Sequence, residues 1–430
     1  MRRNLRSDQE RLWRSLMEMA EVGATPKGGS KRLTLTDEDR DGRNLFVRWC
    51  ENAGLAVTVD AIGNIFARRA GRDPSRPPVM AGSHLDTQPT GGRFDGVLGV
   101  LAALEVVRSL DDYGIETEAP VEVAVWTNEE GSRFSPAMMG SGVFAGVFEL
   151  DDITQTADVD GAVMGAELER IGYAGEAPVG DREVGAYFEL HIEQGPILED
   201  EDKTIGVVTA AQGQRWLEIH VTGRESHAGP TPMPVRKDAL VVASGIVGEV
   251  NRIGHAYAPH ACATVGFMDV SPNSRNVIPG HVFLTVDFRH PVGDDLTAMD
   301  SDLKAYCADQ AEETGVDIAV KDFWHFPSTP FDADCVEAVR AAAEAQGFAH
   351  RDIVSGAGHD AVYMARIAPT GMIFVPCEGG ISHNEEENAT PEDCAAGCDV
   401  LLAESRSRRK PLIAPPRSLY NLQTPYAPFV

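Results

Sequence analysis

Short apolar runs alternate with longer helical patterns along most of the chain. Four of the runs stop abruptly at polar residues, and they read PPVMAGSHLD, VEVAVWTNEE, AYFELHIEQG and TGMIFVPCEGGISHN. Runs of this length that are rich in Val, Met, Phe and Ile are typical of buried strands. A helical pattern, Val97 to Leu110, follows the first run. The alternation predicts an α/β fold whose sheet is covered on both faces and places ligands at the carboxyl ends of its strands.

The pattern changes between about Gln214 and Lys321. Strand, helix, strand, strand, helix and strand follow one another there, with the helices expected over Arg236 to Ile253 and Asp294 to Glu313. The order βαββαβ predicts a ferredoxin-like unit inserted into the larger domain. We therefore predict a catalytic domain over 1–212 and 329–410, an inserted domain over 213–328, and an extended C-terminal arm over 411–430, where five prolines exclude regular structure.

Composition and charge narrow the functional classes. The 430 residues are 43% hydrophobic, and 66 acidic against 38 basic residues give a formal charge of -28. This charge disfavours nucleic acid and anionic membranes as partners and favours metal cations. The charged N-terminus lacks the apolar centre of a signal peptide, and the seven cysteines form no CxxC pair. We expect a cytoplasmic protein with reduced thiols.

Each of the four predicted strands delivers potential metal ligands at or beyond its end. These are His84, then Glu129 and Glu130, then His191, then His383, and Asp95 follows in the loop GGRFDGVLGV. Imidazoles and carboxylates suit Zn, Mn, Co or Ni. Five such groups at one rim of a sheet are enough for two cations that share a bridging carboxylate, and Asp95 is the natural bridge.

The adjacent carboxylates of TNEEGSRF repel each other and resist burial, so their position after a buried strand requires an explanation. Cations that neutralise one carboxylate make the pair tolerable, and the other can then serve as a base beside them. We assign Glu130 to the metal and Glu129 to proton transfer. In SHLD, Asp86 lies two residues beyond His84, and its side chain is predicted to accept the second imidazole N–H.

These residues resemble the zinc-dependent aminoacylase/carboxypeptidase superfamily of the M20 type, within it the hydantoinase/carbamoylase branch. The resemblance extends to about residue 408 and is carried by GSHLDTQPTGGRFDGVLGV, WTNEEGSRF, HIEQGP, SHAGPTPM, SPNSRNVIPG, DFRH, SGAGHDA and ISHNEEE, in the family order. It implies a dimetal aminopeptidase-like catalytic domain with a mixed sheet and an inserted ferredoxin-like lid that also forms a homodimer. The same five metal ligands and Glu129 as general base are implied.

The resemblance further implies substrate contacts on both domains. His227 and Asn276 are expected to stabilise the oxyanion, Arg289 to hold the substrate carboxylate, and Gln194, Arg215 and Gly358 to contact substrate. For Arg289 the residues give an independent reason, because in HVFLTVDFR the apolar side chains alternate with Asp287 and Arg289, which places the arginine off the core. A guanidinium can hold a carboxylate with two hydrogen bonds.

The implied reaction is hydrolysis of a ureido C–N bond by metal-activated water, with two divalent ions, zinc first and Mn, Co or Ni as alternatives. Domain closure is expected to complete the site. N-carbamoyl-L-amino acids are the expected substrates, and N-carbamoyl-β-alanine and allantoate are alternatives. Allantoate hydrolases often have Val where Gln88 stands. More distant alternatives are an aminoacylase or dipeptidase, and a binding scaffold without catalytic activity.

Overall fold

A computed structural model describes residues 5–407 of the chain, with side chains described up to residue 404. The C-terminal arm predicted from residue 411 lies outside the described residues. The chain divides into two compact units. Residues up to Thr209 together with those from Phe331 onward form the first unit, and Ala210–Pro330 form the second.

The strands are, in chain order, β1 (Ala56–Val59), β2 (Ile65–Arg69), β3 (Val79–His84), β4 (Val121–Trp126), β5 (Ala186–Ile192), β6 (Ile205–Ala211), β7 (Gly213–Thr222), β8 (Ser226–His227), β9 (Cys262–Ser271), β10 (Val277–Ile278), β11 (His281–His290), β12 (Asp317–Phe326), β13 (Thr329–Pro330), β14 (His350–Ser355) and β15 (Thr370–Val375). The α-helices are α1 (Gln9–Ala20), α2 (Asp37–Asn52), α3 (Val97–Asp112), α4 (Met139–Phe144), α5 (Leu150–Thr154), α6 (Met164–Ile171), α7 (Ile197–Asp200), α8 (Ala239–Ala256), α9 (Gly293–Thr314), α10 (Ala333–Gln346), α11 (Asp360–Met364) and α12 (Pro391–Ser407).

A mixed sheet forms the centre of the first unit, with the strand order β1-β2-β4-β3-β5-β15-β6 and β14 beside β6. The contacts of β4 with β3, β3 with β5 and β5 with β15 are parallel, and the others along this path are antiparallel. The predicted α/β class with a mixed central sheet is confirmed. The register aligns His84 with Trp126, so the carboxyl ends of the parallel strands meet at one edge of the sheet.

The four predicted strands correspond to β3, β4, β5 and β15, and every residue in them is buried. Parallel strands covered on both faces lose the alternation of polar and apolar residues, which explains their continuous apolar runs. The predicted helix is α3, which is buried over most of its surface and packs against both β3 and α12. A helix that is apolar on nearly all sides belongs in the interior of a large domain.

The second unit is a four-stranded antiparallel sheet in the order β12-β7-β11-β9, with α8 and α9 packed on one face. Its long elements follow the order β7, α8, β9, β11, α9, β12. Along β11 buried and partly buried residues alternate strictly, and the buried ones join the core beneath the helices. Helix α8 begins at Ala239 and not at Arg236 as predicted, because the Asp238 carboxylate caps it by accepting the N–H groups of Leu240 and Val241.

Two further sequence expectations concern membranes and thiols. Within residues 5–407, none of the helices combines the length and the apolar character that crossing a bilayer requires. All seven cysteines are free thiols, and Cys394 and Cys398 lie one turn apart on α12.

Gly82 of β3 gives a stability prediction, because a Cβ there would overlap the backbone carbonyl of Ala124 on β4. Gly82→Ala should force the two strands apart and lower the free energy of unfolding by about 1–3 kcal/mol, as overpacking does. Chemical denaturation measures the change.

The matched control is Gly248→Ala in α8, where an added Cβ meets no atom within 4 Å. This variant should be neutral or more stable by up to about 1 kcal/mol, because Ala favours the helix over Gly. A Gly82→Ala protein as stable as the wild type would contradict the close approach of β3 and β4.

Candidate metal centre and active site

The candidate centre lies in the first unit, where the carboxyl ends of the parallel strands meet. His84 is the last residue of β3, and Glu129 and Glu130 lie three and four residues beyond the end of β4. His191 is the next-to-last residue of β5, and His383 lies eight residues beyond β15. Asp95 is in the loop that enters α3. Because these strands are neighbours in the sheet, residues far apart in sequence reach the same edge.

The structure brings the five predicted ligands together as two groups that share Asp95. One group is His84, Asp95 and His191, and the other is Asp95, Glu130 and His383. Within each group the potential ligand atoms lie within 4.8 Å of one another.

The Asp95 carboxylate divides its two oxygens between these groups. Oδ1 lies 3.5 Å from His84 Nε2 and 3.2 Å from His191 Nε2. Oδ2 lies 3.5 Å from His383 Nε2, which is 3.4 Å from Glu130 Oε2. A carboxylate with one oxygen toward each donor group has the arrangement that a bridging ligand requires.

The two buried imidazoles present the same nitrogen to the centre. His84 Nδ1 lies 2.9 Å from the backbone carbonyl oxygen of Asp86, and His191 Nδ1 lies 2.9 Å from that of Ile192. A carbonyl can only accept, so each Nδ1 carries the ring proton and each Nε2 offers its lone pair. The Gly96 N–H donates to His191 Nε2 at 3.1 Å, in keeping with this tautomer. Neutral imidazoles in this orientation fit a metal ion.

The predicted role of the Asp86 side chain is wrong in one respect. Its carboxylate lies 3.9 Å from His84 Nδ1, and the backbone carbonyl of the same residue accepts the imidazole proton instead. The carboxylate accepts the Thr34 hydroxyl at 2.8 Å and the N–H groups of Glu129 and Glu130 at 3.4 and 3.3 Å. These donors turn the Asp86 side chain away from the imidazole, and it orients the loop after β4.

The centre concentrates negative charge. Among the ion pairs of residues 5–404, none joins Asp95, Glu129 or Glu130 to a lysine or arginine. Burial raises the pKa of Glu129 well above its ordinary value, and Asp360 and Glu130 raise it further although His84 opposes them. Burial and Asp95 likewise raise the pKa of Glu130. Nitrogen and oxygen donors with uncompensated carboxylate charge fit divalent cations.

Glu129 lies beside both donor groups without belonging to either. Its Oε2 is 3.4 Å from His84 Nε2, and the residue is 7% exposed. A carboxylate that lies next to the metal ligands without being a ligand itself is suitably placed to transfer a proton. Gln88, to which the sequence analysis assigned no contact, donates from its amide to Glu130 Oε2 at 2.7 Å.

Gln194, which is expected to contact substrate, lies against the predicted metal ligands. Its side-chain amide donates to Asp95 Oδ2 at 2.8 Å and to the Ser382 hydroxyl at 3.2 Å. Its backbone is left-handed, with φ of 59°, which aims the side chain at Asp95. Both amide protons are therefore engaged, one of them by the predicted metal ligand Asp95.

Glu387 is a buried residue of the site that the sequence analysis did not single out. Its side chain accepts the N–H groups of Phe94 and Asp95 at 2.9 and 3.1 Å and the Ser382 hydroxyl at 3.1 Å. Burial and Asp95 raise the pKa of Glu387 to about 7. It is the last of three consecutive glutamates, and no sequence pattern indicates which of the three is buried.

Gly358 lies in the loop between β14 and α11, where an added Cβ would come 3.2 Å from Met138 Cε. The next residue, His359, is buried, and its ring centroid is 4.5 Å from that of His191. The Ser355 hydroxyl lies 3.0 Å from His359 Nε2. The loop therefore reaches a predicted metal ligand through His359.

In the second unit, His227 ends β8 and Asn276 immediately precedes β10, and these two strands form a two-stranded ribbon. Val277 pairs with His227, and the Ala228 N–H donates to the Asn276 carbonyl at 2.9 Å. Both side chains are exposed. His227 Nδ1 accepts the Gly229 N–H at 3.1 Å, so the neutral ring carries its proton on Nε2, where it can be donated.

The two predicted arginines lie on opposite faces of the second unit's sheet. Arg289 is on the open face and contacts the Asp287 carboxylate at 3.0 Å. Arg215 is on the helix-covered face, where its guanidinium lies 2.5 Å from Asp300 of α9. Arg215 therefore lies on the face opposite to Arg289, and its contact with substrate stays a prediction. Gln214, which the sequence analysis did not single out, is the cross-strand neighbour of Arg289 on the open face.

A largely buried cluster of histidine and carboxylate side chains, of which only His383 is exposed, lies at the strand ends of an α/β sheet with a further carboxylate beside it. This arrangement defines a metal-dependent hydrolase. The chain belongs to peptidase family M20/M25/M40, whose family model matches residues 80–404.

Named relatives extend this assignment. The chain is 52% identical over 399 residues to the N-carbamoyl-L-amino-acid amidohydrolase of Rhizobium meliloti, covering 93% of this chain and 96% of that protein. It is 32% identical over 385 residues to the allantoate amidohydrolase of Bacillus subtilis, covering 89% and 93%. The crystal structure of an amidase of the hydantoinase/carbamoylase family from Burkholderia multivorans matches with a TM-score of 0.90 and 62% identity, covering 94% of this chain and 98% of that one.

The contacts of Asp86 predict a measurable effect on metal binding. In the wild type the N–H groups of Glu129 and Glu130 meet carboxylate oxygens of Asp86. Asp86→Asn places an amide NH₂ against one of these donors, so the loop that carries Glu130 should shift. Affinity for divalent cations should fall about 10–100-fold, as for other residues that orient metal ligands. Calorimetric titration of metal-free protein measures it. The control is Asp73→Asn, an exposed carboxylate, and equal affinities for the two variants would contradict the role of Asp86.

Proposed function

We propose that this protein is a dinuclear metal-dependent amidohydrolase that cleaves N-carbamoyl-L-amino acids to the amino acid, CO₂ and ammonia. The observation that carries the proposal is the pair of donor groups that share Asp95, with Glu129 beside them. The relative from Rhizobium meliloti supports the substrate class, because its name states that substrate and the two chains align over nearly their full lengths. Allantoate and N-carbamoyl-β-alanine are the alternative ureido substrates.

His84, Asp95, Glu130, His191 and His383 would hold the cations, which would supply positive charge to acidify a water molecule and polarise the substrate carbonyl. Glu129 accepts a proton from this water as the oxygen adds to the ureido carbon. The same carboxyl group then gives the proton to the leaving nitrogen as its C–N bond breaks. The carbamic acid that remains loses CO₂, which releases the second nitrogen. The position of Glu129 Oε2, 3.4 Å from His84 Nε2 and outside both donor groups, supports this role.

We assign the remaining roles to the second unit, supplied by the same chain or by a second copy. His227 and Asn276 donate hydrogen bonds to the developing oxyanion, and Arg289 holds the substrate carboxylate. The exposure of His227 and its protonated Nε2 support the first role, and the open-face position of Arg289 supports the second. In the first unit, we assign to the backbone of Gly358 a further contact with the substrate.

Finer assignments follow from the same features. Zinc is proposed as the first choice of ion, because imidazole and carboxylate ligands suit it, with Mn, Co or Ni as alternatives. A homodimer through the second unit is supported by the edge strand β9, where Phe267 and Met268 are exposed. The seven free cysteines support a cytoplasmic location.

The test is an ammonia-release assay on N-carbamoyl-L-amino acids, N-carbamoyl-β-alanine and allantoate. Each substrate is given to metal-free protein and to protein restored with Zn, Mn, Co or Ni. We expect turnover only after restoration and the highest kcat/KM with an N-carbamoyl-L-amino acid. A preference for another ureido acid would reassign the substrate. If no divalent ion stays bound after dialysis, the protein is a scaffold and the proposal fails.

Glu129→Gln should separate catalysis from metal binding. The variant keeps the size of the side chain but cannot hold the transferred proton, so kcat should fall at least about 10²–10⁴-fold. Elemental analysis should still find the wild-type number of ions. Glu116→Gln, an exposed carboxylate, serves as the control. A Glu129→Gln enzyme with wild-type kcat would exclude the assigned base.

His227→Ala should slow the reaction without unfolding the protein, because the side chain is exposed. Loss of one oxyanion donor typically lowers kcat about 10²–10³-fold. His255→Ala, a histidine at the end of α8, is the matched control and should retain wild-type kcat. If both variants turn over substrate at the same rate, His227 is not the donor.

A further inference from the structure

Glu387 is a buried carboxylate without a cationic partner, which calls for an explanation. It is 1% exposed, and no ion pair of residues 5–404 includes it. Gly92 lies against it so closely that a Cβ on the glycine would overlap the Glu387 carboxyl group. The loop GGRFD is therefore shaped around this side chain. Burying a carboxylate is costly unless donors compensate it, so its hydrogen bonds indicate its role.

All of these hydrogen bonds lead to Asp95. One oxygen of Glu387 accepts the backbone N–H groups of Phe94 and Asp95, at 2.9 and 3.1 Å, and so fixes the main chain that carries the ligand. The other lies 3.1 Å from the Ser382 hydroxyl, whose one proton lies between the carboxylates of Glu387 and Asp95. The same hydroxyl lies 2.8 Å from Asp95 Oδ2. Glu387 therefore reaches both the backbone and, through Ser382, the carboxylate of one residue.

The oxygen held in this way is the one that faces His383. Asp95 Oδ2 lies 2.8 Å from both Gln194 Nε2 and Ser382 Oγ, and 3.5 Å from His383 Nε2. Oδ1 faces two histidines that are carried by buried strands. The group containing His383 lies on loops and depends on the orientation of Oδ2, whereas the group containing His84 and His191 has rigid support.

We infer that Glu387 is a positioning residue that turns Asp95 into a bridge between two cations, acting through the Phe94 and Asp95 amides and through Ser382. It selectively supports the ion bound by Asp95, Glu130 and His383. This inference rests on the two-ion function proposed above. Glu387 itself donates no atom to either group of ligands.

The experiment compares Glu387→Ala, Glu387→Gln and the control Glu386→Ala, which removes the neighbouring exposed carboxylate. Calorimetric titration of metal-free protein with Zn or Co gives the affinity and number of ions, and the visible absorption of bound Co reports its coordination. Glu387→Ala should lower the binding affinity for one of the two ions about 10–100-fold and leave the affinity for the other nearly unchanged. Glu387→Gln keeps an oxygen for the two amides and can donate to Ser382, so it should restore both ions.

Equal binding by Glu387→Ala and wild type, or equal weakening of both ions, would overturn the inference. Wild-type protein that binds fewer than two ions would instead refute the proposed two-ion function, so the two failures are distinguishable. Ser382→Ala removes the link between the Glu387 and Asp95 carboxylates at a partly exposed position. It should weaken the same ion selectively, and it tests the inference even where Glu387→Ala does not fold.

Discussion

The structure of the site depends on one interaction, the shared use of the Asp95 carboxylate by two sets of ligands. Asp95, Glu129 and Glu130 are brought together with little access to water and without lysine or arginine partners. Carboxylates in such surroundings either take up protons or bind cations, because burying their charge uncompensated is very costly. The sheet supplies the rigid frame that holds these groups together despite their repulsion.

The loop that carries Asp95 shows how local structure and charge are matched. Asp95 directly precedes the N-terminus of α3, where the helix dipole stabilises negative charge. The next residue, Gly96, has φ of 67°, and a Cβ there would overlap the His84 imidazole. Only glycine allows the loop to pass this ligand closely, so the same residue begins the helix and leaves room for the site.

Much of this arrangement could be predicted from the sequence, because parallel strands end at a common edge and their polar termini are visible in the chain. The sequence analysis fell short where the contacting atom of a residue, or the face of the strand that carries it, had to be known. Asp86 was identified, but its carbonyl and not its carboxylate meets the imidazole. The alternation that was applied to Arg289 could also have placed Arg215 on the opposite face, since neighbouring positions on β7 face opposite sides. The position of Glu387 depends on burial among like residues, which the sequence does not encode locally.

Arg289, to which we assign the substrate carboxylate, is oriented by a contact within its own strand. In this structure its guanidinium contacts Asp287 on the same strand, and the two side chains are 31% and 28% exposed. Ion pairs that open to solvent contribute only about 0–1 kcal/mol, so Asp287 restrains the arginine without competing strongly for it. Asp287 contacts the guanidinium through both Nε and Nη2. The same-strand pair therefore fixes the orientation of Arg289 on the open face at low energetic cost.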